Sequence, residues 1–323
     1  MSKAILGIDG GGTKTHAIVV DLDGKILATA ANGGANWERI GIEAVGKSLD
    51  ELINSVLSTA KISREDIVAS TLALAGIDWP EDENLFAPVI QGLGLSGKCA
   101  LVNDSVAALF AGIPDGIGCV SIAGTGGKTA GSDGEQTIQT MGMELGEGGG
   151  AGQLVDMALD AIAQAFHSTA AKTRMYSEIP LEAGFSQPEE FFIAIARGRV
   201  RLDESYARLI FELANSGDSA AHEVVVHVAK QHARDVNGVA SQLKFRDQHM
   251  TLIRAGGLHT AGCGVFDNAF ESEINRLLGK VNVSVLNIAP VFGAIIHSAH
   301  AYFETIPAEF LSNLLTDAGK VDL

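Results

Sequence analysis

The sequence predicts an α/β protein made of two similar halves, with a largely helical insertion in the second. Three observations lead there. A strand running into glycines occurs twice, as GIDGGGTKT at 7–15 and as IAGTGGKT at 122–129. Apolar runs and segments of helical periodicity alternate along both halves. The stretch 153–245 is mostly helical in pattern, with Ala-rich amphipathic segments.

In chain order, 4–8, 15–21 and 26–31 read as three short strands, with Asp23-Gly24 as a tight-turn signal between the last two. Ile42, Val45, Leu49, Leu52, Ile53 and Val56 recur at helical spacing, and 67–73 is a nearly continuous apolar strand. A helix is expected over 82–93, a short strand over 100–102 and a small helix over 105–111. The pattern restarts at 117–123, an apolar strand entering glycines, followed by a turn at Asp133-Gly134 and a strand near 137–141. Superposing the two copies pairs Ile8 with Ile122, Gly10 with Gly124, Gly12 with Gly126, Lys14 with Lys128 and Thr15 with Thr129. Agreement in strand, glycines and following turn points to internal duplication. After the insertion, 250–254 and 283–286 read as strands, and 262–278 and 291–301 as helices. The expected division is 1–116 and 117–323, with a closing helix at 290–304 packing back on the first domain.

The chain has 323 residues, 46% apolar and 19% charged, which suits packed cores and two domains. With 39 acidic against 23 basic residues the formal charge is -16. Such a surface repels phosphate backbones and anionic lipids, so no nucleic-acid or membrane partner is expected. The start lacks the pattern of a signal peptide and no apolar run reaches membrane-spanning length, which predicts a cytoplasmic protein. Cys99, Cys119 and Cys263 are too scattered for a cluster and read as buried free thiols.

Glycines after a strand let backbone N–H groups approach an anion, because no Cβ blocks it. Both hairpins therefore read as phosphate cradles: Gly10, Gly11, Gly12, Thr13, Lys14 and Thr15 in the first, Gly124, Thr125, Gly126 and Gly127 in the second. Glycines that merely make tight turns are the plainer alternative, weakened by the hydroxyls and lysine beside them. The copies differ at one position, Asp9 against Ala123. A carboxylate beside phosphate-binding amides calls for a cation, and Mg²⁺ accompanying ATP makes Asp9 the metal-side residue. The end of the second hairpin is P-loop-like, but the required first glycine falls at Ile122 and a turn follows instead of a helix. GEGGGA at 146–151 fits only a loose dinucleotide fingerprint.

GIDGGGTKT, the second hairpin SIAGTGG at 121–127 and IRAGGL at 253–258, in this order, resemble the phosphate-one, phosphate-two and adenosine motifs of the sugar kinase, heat-shock ATPase and actin superfamily. Length and the form of the first motif are similar to the BadF/BadG/BcrA/BcrD ATPase family, which includes N-acetylglucosamine and glucosamine kinases. The resemblance implies two ribonuclease-H-like (actin-like ATPase) domains with a cleft between them that closes over ATP and substrate. It adds Gly256 and Gly257 to the nucleotide residues and implies a homodimer acting on a small sugar, N-acetylglucosamine or glucosamine, at the 6-hydroxyl.

Within that resemblance Asp104 matches the catalytic carboxylate, although an Asp before a helical run is by itself a common helix cap. Asn36, in GGANW at 33–37, matches a sugar-binding loop, and Trp37 is either a ring platform or an ordinary half-buried tryptophan. Glu147 falls where amino-sugar kinases carry a sugar-binding Asp in Gly-Asp-Glu-Gly-Ser, while Gly148 and Gly150 depart from that pattern. The alternative within the family is an ATPase that activates a 2-hydroxyacyl-CoA dehydratase. Such activators hold a cluster on cysteines, which Cys119 and Cys263 are poorly placed to do. The ROK kinases carry a Cys-rich zinc motif absent here. His222, His227 and His232 are spread around a helix and read as solvated or packing residues.

Overall fold

The computed structural model describes residues 3–143, 145–245 and 250–319. Among the described residues ten strands form two sheets of five. The chain divides into two compact units, Met1–Val120 with Ala130–Thr137 and Leu286–Leu323, and Ser121–Thr129 with Ile138–Val285. The division falls within three strands of the second sheet.

The first sheet contains β1 (Ala4–Gly10), β2 (Lys14–Asp21), β3 (Ile26–Gly33), β4 (Ile67–Leu74) and β5 (Lys98–Asn103) in the order β3-β2-β1-β4-β5. The meander pairs are antiparallel, whereas β1–β4 and β4–β5 are parallel. Parallel pairing requires crossovers. They are α1 (Trp37–Ile40) with α2 (Ile42–Ala60), and α3 (Pro80–Gly92); α4 (Asp104–Gly112) follows β5. Strand alternation sorts β1 between two cores. Leu6 and Ile8 pack with Val45, Leu49 and Ile53 of α2 and with Phe86 of α3.

The second sheet contains β6 (Gly118–Ala123), β7 (Gly127–Ser132), β8 (Thr137–Gln139), β9 (Thr251–Ala255) and β10 (Asn282–Val285) in the order β10-β9-β6-β7-β8. Read from the other edge, this repeats the strand order of the first sheet, as duplication predicts. Between β8 and β9 come α5 (Ala151–Phe166), α6 (Met175–Glu182), α7 (Pro188–Ala196), α8 (Ala207–Asn215) and α9 (Ser219–Ala240). Helix α9 buries Val225, Val228, Ala233 and Val236 and packs on α5, on α8 and on α11 (Gly264–Leu278).

The helix expected over 262–278 is α11, which starts two residues later because the backbone turns at Gly262 with φ +69°; a short helix not foreseen from the sequence, α10 (Gly257–Thr260), precedes that turn. The helix expected from 82 begins at Pro80: the Asp82 carboxylate accepts from the amides of Asp78 and Trp79, both at 2.8 Å, and starts it earlier. After β10 come α12 (Pro290–Tyr302) and α13 (Ala308–Ala318), the latter not foreseen from the sequence. Ile295 and Ile296 of α12 and Phe310 and Leu314 of α13 enclose Ile5, Ile18 and Val20 on the other face of the first sheet. Helix α12 lies close enough that a Cβ on Gly7 would stand 2.7 Å from Ile295 N, and one on Gly293 would stand 1.8 Å from Ala107 O.

Candidate active site

In the first unit Asp9 is the penultimate residue of β1, opposite His16 on β2 and Ala73 on β4. The chain then turns over 10–14. Gly11 N donates to Lys14 O at 2.9 Å, while Ala75 N and Ala35 N donate to the carbonyls of Gly10 and Gly11 at 2.8 and 3.0 Å. The amides of Gly12 and Thr13 have no hydrogen-bond partner among the described residues, and they stand as adjacent donors at an exposed turn with Lys14 beside them. A Cβ on Gly34 would lie 2.3 Å from Gly12 O, so the 33–37 loop can pack on the hairpin only without one. Thr15 corrects the sequence expectation. It is fully buried and its hydroxyl donates to Gly33 O at 2.7 Å, so its side chain fastens the hairpin to β3 and is not offered to a ligand.

Asp104 opens α4, but Asn103 caps it: Asn103 Oδ1 accepts from Ser105 N at 3.0 Å and from Ser105 Oγ at 2.5 Å. Asn103 Nδ2 in turn donates to Asp78 Oδ1 at 3.0 Å. The plain helix-cap explanation of Asp104 is thereby assigned to its neighbour, a pairing with Asp78 that sequence reading missed. Burial first and the charge of Asp104 second push the Asp9 carboxyl up to about 7. Two carboxylates in such proximity invite a cation. No set of three or more His, Cys, Asp or Glu side chains could cage a metal among the described residues. One or two carboxylates beside exposed backbone amides would suit Mg²⁺, which keeps waters and takes phosphate oxygens for the rest of its shell.

Asn36 caps α1, its Oδ1 accepting from Glu38 N at 3.0 Å, and keeps its amide nitrogen for other partners. Trp37 is the packed tryptophan: Nε1 donates to Gly76 O at 2.6 Å and the ring meets Phe86 edge-on at 6.0 Å. Gly76 has φ +85°, and the ring of Trp37 and Asn36 Oδ1 crowd the place of its missing Cβ. The loops carrying Asn36, Asp78 and Asp104 are thus joined through Trp37–Gly76 and Asn103–Asp78.

In the second unit three glycine segments stack backbone on backbone. A Cβ on Gly127 would lie 1.8 Å from Gly148 O, one on Gly150 2.3 Å from Gly124 O, and one on Gly256, at φ +89°, 2.6 Å from Ala123 O. The hairpin carbonyls serve α5: Ala151 N donates to Gly124 O at 2.8 Å and Gly152 N to Thr125 O at 3.2 Å. Glu147 uses both carboxylate oxygens on its own loop, accepting from Met141 N at 2.8 Å and Gly142 N at 2.7 Å, and retains lone pairs for other donors. Gly148, where an acidic residue matched the resembled pattern, receives a carboxylate from elsewhere, Asp235 of α9.

A cavity of about 590 Å³ opens in this unit, with Gly124, Thr125, Gly257 and Leu258 on one side and Phe211 and Asn215 of α8 on the other. Its size suits a small-molecule ligand. That α8 supplies a wall was not legible in the sequence, since nothing in its apolar pattern marks which groups face a cavity. Gly126 lies in the hairpin turn but outside this lining. Behind the cavity His259 is buried and held neutral by burial, accepting from Arg254 Nε at 3.2 Å and donating to Ser121 Oγ at 3.1 Å. With both ring nitrogens used this way the serine has no base, so the trio is a brace for β9 and α10. Arg254 also pairs with Asp267 and Glu271 of α11. The three cysteines are free, and burial pushes Cys119 up to about 12.

A curated relative from Clostridium acetobutylicum, an N-acetylmuramic acid/N-acetylglucosamine kinase, is 28% identical over 305 residues, spanning 91% of this chain and 97% of its own. The N-acetyl-D-glucosamine kinase of Dictyostelium discoideum is 28% identical over 275 residues, 80% of this chain and 86% of that one. A Chromobacterium violaceum protein proposed to be an N-acetylglucosamine kinase shares the fold, with a TM-score of 0.66 at 16% identity over 91% of this chain and 98% of the other. Residues 6–297 match the profile of the BadF/BadG/BcrA/BcrD ATPase family, and to that family the chain belongs.

Proposed function

We propose that the protein is an ATP-dependent kinase that phosphorylates an amino sugar, N-acetylglucosamine or glucosamine, at the 6-hydroxyl. The carrying observation is the Asp9–Asp104 pair, in which neither carboxylate is consumed as the cap of α4. Asp104 orients the sugar hydroxyl and takes its proton as the oxygen forms its bond to the γ-phosphorus of ATP and the bond to the ADP oxygen breaks. Mg²⁺, when bound, neutralises charge on the transferring phosphoryl group, and Asp9 would hold it directly or through waters. Gly12 and Thr13 offer phosphate donors in the first unit, and the cavity beside Gly257 takes the nucleoside in the second. Asn36 and Glu147 bind sugar hydroxyls. The curated relatives, both named as kinases of N-acetylated amino sugars, support this acceptor class. Among the described residues no helix is long and apolar enough to cross a membrane. A cytoplasmic homodimer completes the reading, its stoichiometry open to light scattering.

The test is a panel of sugars and amino sugars with Mg-ATP, reading ADP release from the wild type and Asp104→Asn. Release that requires an amino sugar and disappears in the variant is expected. Sugar-independent release that survives the substitution would sink the proposal.

A further inference from the structure

The 146–150 loop is glycine at four of five positions and has no regular secondary structure until α5 begins. Its backbone would be free in many conformations unless something outside it imposed one. Helix α9 does so. Gln231 Nε2 donates to Gly146 O at 2.8 Å, Gly148 N donates to Asp235 Oδ2 at 2.5 Å, and His232 Nε2 meets Gly149 O at 2.7 Å. Residues 231, 232 and 235 lie one and four apart, hence on one side of the helix. Shape reinforces the hydrogen bonds: a Cβ on Gly148 would stand 2.9 Å from the His232 ring and 3.0 Å from Asp235 Oδ2.

The protonation states fit a gripping role. Burial pushes His232 down to about 4, so the ring is neutral, Nε2–H donates to the Gly149 carbonyl, and Nδ1 faces the interior without a partner. Asp235 is pushed up to about 6, mainly by burial and in part by Glu147, against the pull of Gly148 N–H and Gln231. The carboxylate is thus retained in a half-buried place, which a group with only packing to do would not need. Glu147 sits between two of the gripped residues and, through Met141 and Gly142, ties down the preceding turn.

We infer that α9 of the helical insertion is the anchor of the acceptor-side loop, with Asp235 as the residue that positions Glu147. The inference deepens the kinase reading and rests on Glu147 as a sugar ligand. Asp235→Ala is expected to raise KM for N-acetylglucosamine about tenfold while KM for ATP moves less than about twofold. Hydrogen–deuterium exchange of the 146–152 amides should quicken roughly tenfold in the same variant. Asp235→Asn should restore both, because its amide oxygen still accepts from Gly148 N and only the 3.3 Å contact with Gln231 is lost. Gln231→Ala, which leaves the buried residues untouched, should loosen the loop in the same direction by a smaller factor, and serves if Asp235→Ala does not fold. Unchanged loop exchange in these variants, a loosened loop with an unmoved sugar KM, or equal impairment of the Asn and Ala variants would each overturn the inference. Because exchange needs no turnover, a wild type lacking amino-sugar-dependent ADP release would defeat the kinase reading while exchange alone still judged the anchor.

Discussion

The two glycine hairpins began as one pattern and are used in opposite ways. In the first, the carbonyls of Gly10 and Gly11 are tied by Ala75 and Ala35, and the amides of Gly12 and Thr13 are left at the surface beside a lysine. In the second, the carbonyls of Gly124 and Thr125 satisfy the first amides of α5, and glycines from two other segments press on the turn. The first hairpin keeps a carboxylate with a perturbed proton affinity at its base, whereas the second has the uncharged Ala123 in that place. A duplicated backbone can therefore divide the work, one copy holding charge and the other holding shape.

The sharpest way to break this comparison is at the charged side. Asp104→Asn should lower kcat by about 10³-fold with KM for ATP little changed, the loss expected for a general base, measured by coupled ADP release.

Asp9→Asn tests the same side through stability. The Asp9 carboxyl titrates at about 7 instead of 3.8, so the folded protein binds a proton that the unfolded chain releases. Its stability contribution is present at low pH and is lost as the pH rises from about 4 through about 7. Without Mg²⁺ the Asn variant should thus exceed the wild type by on the order of 3 kcal/mol at about pH 8 and match it near pH 4, while losing activity. Urea unfolding at both values decides it, and equal stabilities near pH 8 would remove the electrostatic contrast between the hairpins.

On the shape side, Gly150→Ala pushes a methyl against three carbonyls and should cost about 1–3 kcal/mol or more. Gly11→Ala, whose added carbon would meet only Lys14 O at 3.6 Å, should stay within about 0.5 kcal/mol. Thermal melts of the pair give the ratio directly. A small effect on binding is expected at the cavity wall, where Asn215→Leu should raise KM for ATP a few-fold, in line with one hydrogen bond of about 1 kcal/mol, and leave the sugar KM alone.

Much of this was legible in the sequence. The apolar strand at 4–8, the periodicity from Ile42 to Val56 and the repeated hairpin were recognisable, because burial leaves its pattern of apolar residues directly on the chain. Helix α13 went unseen although Phe310 and Leu314 are one turn apart and fully buried. A single short amphipathic turn set has little signal until the face it covers is known. Thr15 was misread for a related reason: the pattern marks a hydroxyl near a glycine turn, but only the register of β2 on β3 shows that it points at Gly33 O.

The sequence by itself determined the α/β class, the duplication, the order of the motifs and the family, since these are properties of spacing and residue type along one dimension. Tertiary structure decided that Asn103 and not Asp104 caps α4, that Asp9 feels Asp104, and that Gln231, His232 and Asp235 of a distant helix hold the 146–150 loop. The first turns on which of two adjacent side chains reaches back to Ser105, and the other two on groups far apart in the chain meeting where hydrogen bonding, burial and Coulomb interaction act and where sequence separation carries no information.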